Sequence, residues 1–444
     1  MDTKEKILRP VGRVRGGAFL PHLKSTAESE TVVMPPPAEV RIPLLQHIGA
    51  PAEPCVKKGD TVFVGTLIAE AAGFVSAPVH SSVSGAVKDI AETEVNGLPV
   101  KCIVIESDGK MENDPALAPF PAETKEDIAK AADRCGLVGL GGAGFPTKVK
   151  LTIKEDTPID TLIINGAECE PYITSDYRSC IEDYESVIEG VYLLKEKLGI
   201  KNVIVCIESN KEKAIQKLYN IASDRRDRDD SVKLMRLPAR YPQGAEKVII
   251  YSATGRKVPQ GRLPSDVGCI VMNINSVAVL YRFITTGMPL VSKRVTVDGT
   301  AVNEPKNIIV PIGTSVKDLI EFAGGASEDA AEVIFGGPMM GVDACDINSV
   351  VEKRTNAITV MKEELKPAPV TPCIRCGRCA RACPMQLYPA SVEAAVNHGK
   401  TAALDKLNVN YCMECGCCSY VCPAKRPLTQ VMRLAKAELR KEKR

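Results

Sequence analysis

The chain has 444 residues, 45% hydrophobic and 25% charged, with a formal net charge of +2. That composition is ordinary for globular domains, and the length suits roughly three of them. A near-neutral chain with no tryptophan and 4% aromatics offers neither the basic footprint nor the stacking platform of a nucleic-acid binder, so no nucleic acid is expected as a partner.

Met1–Pro10 is mostly charged, so no basic-then-apolar leader opens the chain. The longest uncharged stretches, Ala71–Val87 and Val267–Tyr281, carry polar, Gly or Pro residues and fall short of the ~20 apolar residues of a membrane span. Residues 1–118 read as all-β. Val56–Val62 is a strand–turn–strand pattern, and Ala77–Val79 and Gly85–Val87 continue it with alternating apolar positions. The pattern resembles the barrel-sandwich hybrid of lipoyl and biotinyl carriers. The tip near Gly73–Ser76 lacks their lysine, which implies a scaffold with no swinging arm. Asn113–Pro121 is a linker.

Residues 119–285 alternate helix and strand. Thr124 and Asp127 form a capping-box start. Thr161–Ile164 and Asn202–Ile207 are buried-type strands. Between them Val187, Val191, Leu194 and Leu198 recur at helical spacing until Gly199. Such alternation predicts a parallel, Rossmann-like nucleotide-binding sheet. Residues 286–350 return to short strands, Val295–Val297 and Ile308–Val310 around the turn Asp298-Gly299. A helix over Ser315–Ala323 follows, a pattern that fits a β-grasp module. Residues 351–444 hold a proline-bearing linker (Lys362–Pro372), a cysteine-rich domain and a basic C-terminal helix with Arg433, Lys436, Arg440, Lys441, Lys443 and Arg444.

The cysteines carry the strongest signal. Cys373, Cys376, Cys379 and Cys383 form C-x2-C-x2-C-x3-C before Pro384, and Cys412, Cys415, Cys418 and Cys422 repeat it before Pro423. Thiolates are the soft ligands that iron–sulfur clusters need, and four suffice for a [4Fe-4S] cubane. Zinc knuckles pair two CxxC units without the x3-C-P tail. In two-cluster folds the fourth cysteine of each run ligates the other cluster. The expected sets are therefore Cys373, Cys376, Cys379 and Cys422, and Cys412, Cys415, Cys418 and Cys383. Cys417 reads as a packed small side chain. The other cysteines of the 17 show no disulfide-scaffold spacing, which suits a reducing compartment.

Gly139-Leu140-Gly141-Gly142-Ala143-Gly144-Phe145 is the second signal. Its glycines let backbone N–H groups approach a phosphate, although such a loop alone also serves as a tight turn. Lys150 follows at a distance suited to phosphate contact. A strand then ends in Asn165-Gly166-Ala167-Glu168-Cys169-Glu170-Pro171, the place where open α/β sheets bind ligands. On their own Glu168 and Glu170 also read as part of a solvated loop. The four histidines, His22, His47, His80 and His398, are dispersed, and none is given a catalytic role.

These segments resemble the flavin and NADH site of the NADH-oxidising subunit of respiratory complex I. They resemble still more closely the C subunits of Rnf complexes, ion-translocating ferredoxin:NAD oxidoreductases. Tyr241-Pro242-Gln243-Gly244-Ala245-Glu246-Lys247, Ile48–Pro51 and Phe335–Gly341 extend the resemblance along essentially the whole chain. It implies non-covalent FMN, NAD(H) as substrate and two [4Fe-4S] clusters. Gly139, Gly141, Gly142 and Gly144 match the loop along the flavin, and Phe145 an aromatic that stacks on the nucleotide. Lys150 matches a lysine near the FMN phosphate, and Asn165 an asparagine at the flavin ring or ribityl. Glu168 and Glu170 match acids near flavin and nicotinamide, Gly244 and Glu246 a second flavin-side loop, and Asn275 a further polar contact. Ala167 stands where the complex I protein has aspartate.

The resemblance also implies a peripheral protein on the cytoplasmic face of the membrane. It would work beside membrane and iron–sulfur subunits, reached by ferredoxin indirectly, with ion translocation in other subunits. A cobalamin reductase of the propanediol-utilisation type shares the glycine loop and clusters but carries its sandwich after them. A bare cluster carrier has no use for residues 139–275.

Overall fold

The computed structural model describes residues 7–95, 98–153, 157–224, 231–344, 346–363 and 369–442. Lys443, Arg444 and linker residues 364–368 lie outside them.

In chain order the first strands are β1 (Val32–Val33), β2 (Glu39–Pro43), β3 (Glu53–Pro54), β4 (Thr61–Val62), β5 (Leu67–Glu70), β6 (Val79–His80), β7 (Gly85–Val95) and β8 (Leu98–Ser107). Two sheets, ordered β2-β8-β7-β4 and β3-β5-β6, make the sandwich. The strand expected at Val56 lies earlier, at β3, because Lys58 and Gly59 already turn the chain.

The α/β domain follows with α1 (Lys125–Arg134), α2 (Thr147–Leu151), β9 (Thr161–Gly166), α3 (Ser175–Glu182), α4 (Tyr184–Leu198), β10 (Asn202–Glu208), α5 (Glu212–Asp224), β11 (Val232–Leu237), α6 (Glu246–Thr254), β12 (Cys269–Asn273) and α7 (Ile274–Thr286). Thr124 caps α1 reciprocally with Asp127. α4 buries Val187, Val191, Leu194 and Leu198 and ends at Gly199 with φ 66°, a left-handed stop that glycine adopts without strain. The sheet, ordered β11-β10-β9-β12, is parallel throughout. One continuous apolar core joins this domain to the sandwich, from Val40 and Ile105 to Leu162 and Val277.

The β-grasp module comprises β13 (Ser292–Asp298), β14 (Lys306–Pro311), α8 (Val316–Phe322), β15 (Ala330–Phe335), β16 (Val342–Asp343) and β17 (Ala357–Lys362). Its sheet reads β1-β14-β13-β17-β15-β16, so both expected boundaries move. Residues 357–362 belong to the module rather than to the cluster domain. Residues 7–33, grouped with the sandwich by sequence, form a strap over the other domains. Leu8 bridges to Met235 and Ala18 to Tyr241, the Gly17 N–H donates to Ala382 O at 2.8 Å, and β1 ends the strap on β14. The cluster domain holds α9 (Arg378–Ala382), α10 (Pro389–Asn397), α11 (Thr401–Lys406), α12 (Cys417–Tyr420) and α13 (Leu428–Glu442). Among the described residues no helix is long and apolar enough to cross a membrane.

Candidate functional site

The chain steps from β9 to β10 to β11 and then returns to the far side of β9 as β12. The reversal opens a crevice beyond the carboxyl ends of β9 and β12, the usual ligand position in such sheets. The glycine loop lies there. Gly139 N–H donates to Phe145 O at 2.9 Å and Leu140 N–H to Ser276 Oγ at 3.3 Å. A Cβ on Gly141 would stand 2.5 Å from Asn273 Nδ2, whereas one on Gly142 meets nothing within 4 Å. Gly141, Gly142 and Ala143 are exposed. Their N–H groups, with that of Gly144, find no protein acceptor among the described residues. These four unpaired donors, three of them on exposed residues, fit the anionic, hydrogen-bond-accepting groups of FMN. Phe145 is partly exposed beside the loop.

Asn165, at the end of β9, accepts Ala167 N–H at 3.1 Å and donates to Gly244 O at 2.8 Å. A Cβ on Gly244 would meet Ala167 O at 2.5 Å, so this glycine allows two backbones to meet. Lys150 pairs with Glu246 at 2.9 Å and donates to Val271 O at 3.3 Å. Asn275 and Asn273 donate to the two carboxylate oxygens of Asp176, each at 2.7 Å. Gly139–Gly144, Asn165, Gly244, Lys150, Glu246 and Asn275 thus gather around β9 and β12.

The two acids turn inward. Glu168 is buried and accepts Asp176 N–H at 2.7 Å and Tyr177 N–H at 3.3 Å. It therefore sits on the positive end of α3 in place of a side-chain cap. Burial pushes its carboxyl up to about 7. Glu170, likewise raised to about 7 by burial, accepts Met339 N–H at 3.1 Å and Met340 N–H at 2.9 Å from the β-grasp module. Lys24 of the strap donates to Glu168 O at 3.1 Å, Glu170 O at 2.7 Å and Ile173 O. Asp176 and Lys24 carry no local motif in the sequence. Only their partners, 97 to 149 residues away, give them a role.

The two cysteine motifs adopt one backbone. Arg375 and Glu414, Gly377 and Gly416, and Gln386 and Lys425 are equivalent pairs, all with positive φ. Cys412, Cys415 and Cys418 line one hollow with Cys383 of the other motif. On the other side, Thr371 N–H donates to Ala424 O at 3.1 Å, which brings the Cys373 loop beside Cys422. Among the described residues no trio of His, Cys, Asp or Glu closes on a single-ion site. Four thiolates are the donor set that a [4Fe-4S] cubane takes. Cys373 and Cys376 are exposed, while Cys415, Cys417 and Cys418 are buried. Cys415 and Cys417 share an apolar cluster with Ala18, Tyr241, Cys169 and Met339, so the second motif abuts the loop that follows β9. In the basic helix, Arg433 and Lys436 are already paired to Glu414, at 3.1 and 2.6 Å.

A parallel sheet with a backbone-donor crevice, set against two four-cysteine motifs, defines a flavin-and-cluster electron-transfer protein. Family models agree: Nuo51 FMN-binding domain over residues 132–282, RnfC barrel sandwich hybrid domain over 12–110, SLBB domain over 294–343 and 4Fe-4S dicluster domain over 372–425. The chain is 42% identical over 424 residues to the C subunit of the proton-translocating ferredoxin:NAD(+) oxidoreductase complex of Clostridium ljungdahlii, covering 94% of this chain and 92% of that one. It is 41% identical over 439 residues, 98% of each chain, to the C subunit of the Na(+)-translocating ferredoxin:NAD(+) oxidoreductase complex of Acetobacterium woodii. The C subunit of the ion-translocating oxidoreductase complex of Rhodobacter capsulatus is 41% identical over 96% of this chain and 83% of its own. The chain belongs to this family of Rnf C subunits. A solved chain of an NAD+-reducing [NiFe]-hydrogenase shares the fold, with a TM-score of 0.51 at 20% identity over 73% of this chain and 64% of that one.

Proposed function

We propose that this chain is the NAD(H)-reacting member of an Rnf-type complex, passing electrons between NAD(H) and its two [4Fe-4S] clusters through FMN. Bound FMN supplies the exchange between a two-electron hydride and one-electron clusters. The chain's residues bind and orient. The N–H row of Gly141–Gly144 receives the flavin's anionic groups, Asn165 and Gly244 brace the crevice wall, and Lys150 with Glu246 closes its end. Phe145 stacks on the nucleotide.

One observation carries the order of transfer. The Cys412–Cys418 motif packs against Cys169 and Tyr241 beside the crevice, while Cys373 and Cys376 lie at the surface. Electrons therefore run between flavin and the buried cluster, then between the buried and the exposed one. Ion translocation belongs to other subunits. The chain sits peripherally on the cytoplasmic face of the membrane, held by membrane and iron–sulfur partners, and ferredoxin reaches it only through them.

The test is anaerobic NADH titration of the purified holoprotein, followed by visible absorbance and electron paramagnetic resonance. NADH should reduce both clusters. In Cys412→Ser it should reduce flavin while the exposed cluster stays oxidised. Reduction of the exposed cluster at the wild-type rate in that variant would refute the order.

A further inference from the structure

The two cysteine motifs share one backbone but present different faces. In the second motif, Met413 and Cys417 pack against Ala18 and Tyr241, and Glu414 is neutralised by Arg433 and Lys436. The equivalent positions of the first motif are Ile374, Arg378 and Arg375. All three are exposed, Ile374 by 68%. The whole segment Thr371–Cys376, with two cluster cysteines, is open to solvent. Arg378, Arg381 and Lys425 line an open hollow with Tyr420 and Cys422. Arg375, Arg378, Arg381 and Lys425 make no ion pair among the described residues. No Asp or Glu occurs from residue 369 to residue 392. The face that docks the second motif onto its own protein thus has a counterpart on the first motif, left uncovered and positively charged.

We propose that this face, Ile374 and Tyr420 ringed by Arg375, Arg378, Arg381 and Lys425, docks an acidic protein surface that carries a one-electron redox centre. The inference rests on the electron-transfer reading above. A free nucleotide would also answer the positive charge. It exchanges electrons in pairs as hydride, however, and a cluster accepts them singly, so a one-electron carrier is the occupant the chemistry favours. A small apolar centre with a charged rim suits electron-transfer contacts, which are small and steered by charge.

The test uses holoprotein and membranes from cells that make the partner subunits without this chain. Bound fraction is measured against added salt for wild type, Arg378→Glu/Lys425→Glu, Arg378→Gln, and Arg440→Glu/Lys441→Glu in the tail helix. The double variant on the face should bind at least about tenfold more weakly at low salt and lose most of the salt dependence, with Arg378→Gln between it and wild type. Iron and flavin contents should stay at wild-type values, which excludes misfolding. The tail variant should bind as wild type does. Unchanged binding by the face variants would overturn the proposal. So would equal binding of wild type to protein-free vesicles of phosphatidylglycerol, which would make lipid the occupant. Reduction of the clusters by NADH in the isolated chain tests the parent reading separately, since it needs no partner.

Discussion

The Lys24 ammonium donates to the main-chain oxygen of Glu170 at 2.7 Å, joining the N-terminal strap to the loop beneath the flavin crevice. Glu168 O and Ile173 O share the same ammonium. The loop's carbonyls thus converge on a cation supplied from far earlier in the chain, a separation of 146 residues for Glu170. Lys24→Met keeps the aliphatic stem but leaves the Glu170 and Ile173 carbonyls without this donor, while Glu168 O keeps Lys211 at 3.0 Å; each buried group left unsatisfied costs about 1–3 kcal/mol. FMN affinity should fall at least about tenfold, read as flavin per chain after gel filtration, with cluster iron unchanged. Full flavin retention would show that the strap does not organise the crevice.

Gly141 and Gly142 should fail in different ways. A side chain at Gly141 strikes Asn273, which Asp176 holds in place. One at Gly142 enters the open crevice instead. Gly142→Val should abolish flavin binding without altering thermal stability, whereas Gly141→Val should lower both. Asp176→Ala should mimic the Gly141 variant by releasing Asn273 and Asn275. Equal stability losses for the two glycine variants would contradict this geometry.

What the sequence made legible was local. The Thr124–Asp127 cap, the α4 stripe ended by Gly199, and the paired cysteine motifs each lie within a few turns of chain. What stayed hidden depends on distant pairings that leave no periodic trace. The strap bridges Leu8 to Met235 and pairs Val32 with Ile308, and β17 returns to pair with β13. Glu168 illustrates the same limit within the site. Its motif resemblance placed an acid near the flavin, but the helix that begins at Ser175 offers it N–H donors, and the carboxylate turns to them.

Cluster ligation can be tested by pairs of variants. Cys383 lines the hollow of Cys412, Cys415 and Cys418. Cys383→Ser and Cys412→Ser should therefore damage the same cluster, and Cys422→Ser the other. Iron should fall from about eight to about four per chain in each case. The remaining paramagnetic signal should be identical for the first two variants and different for the third. If Cys383→Ser instead reproduced the Cys379→Ser spectrum, each motif would hold its own cluster.

The last prediction concerns Lys353, which is fully buried where the sandwich, the α/β domain and the β-grasp module meet. Its ammonium donates to Pro78 O at 2.6 Å and Gly136 O at 2.7 Å, and burial pushes its pKa down from 10.5 to about 7. His80 lies beside it with Nδ1 unpartnered, held near 3 by burial, and so adds no charge change in the same range. The folded state therefore gives up the Lys353 proton more readily than the unfolded chain does. A depressed lysine contributes stability that is complete above the unfolded value of 10.5 and is lost as pH falls through 7. The full swing is on the order of 5 kcal/mol for a shift of that size. Lys353→Met leaves two carbonyls without donors, a cost that does not vary with pH, and removes the titration. The thermal midpoint of wild type relative to Lys353→Met should thus rise steadily from about pH 7 to about pH 10, whichever protein is the more stable at the lower end. Parallel midpoints across that range would show that Lys353 keeps an ordinary pKa, its two carbonyl partners holding the charge in place against burial.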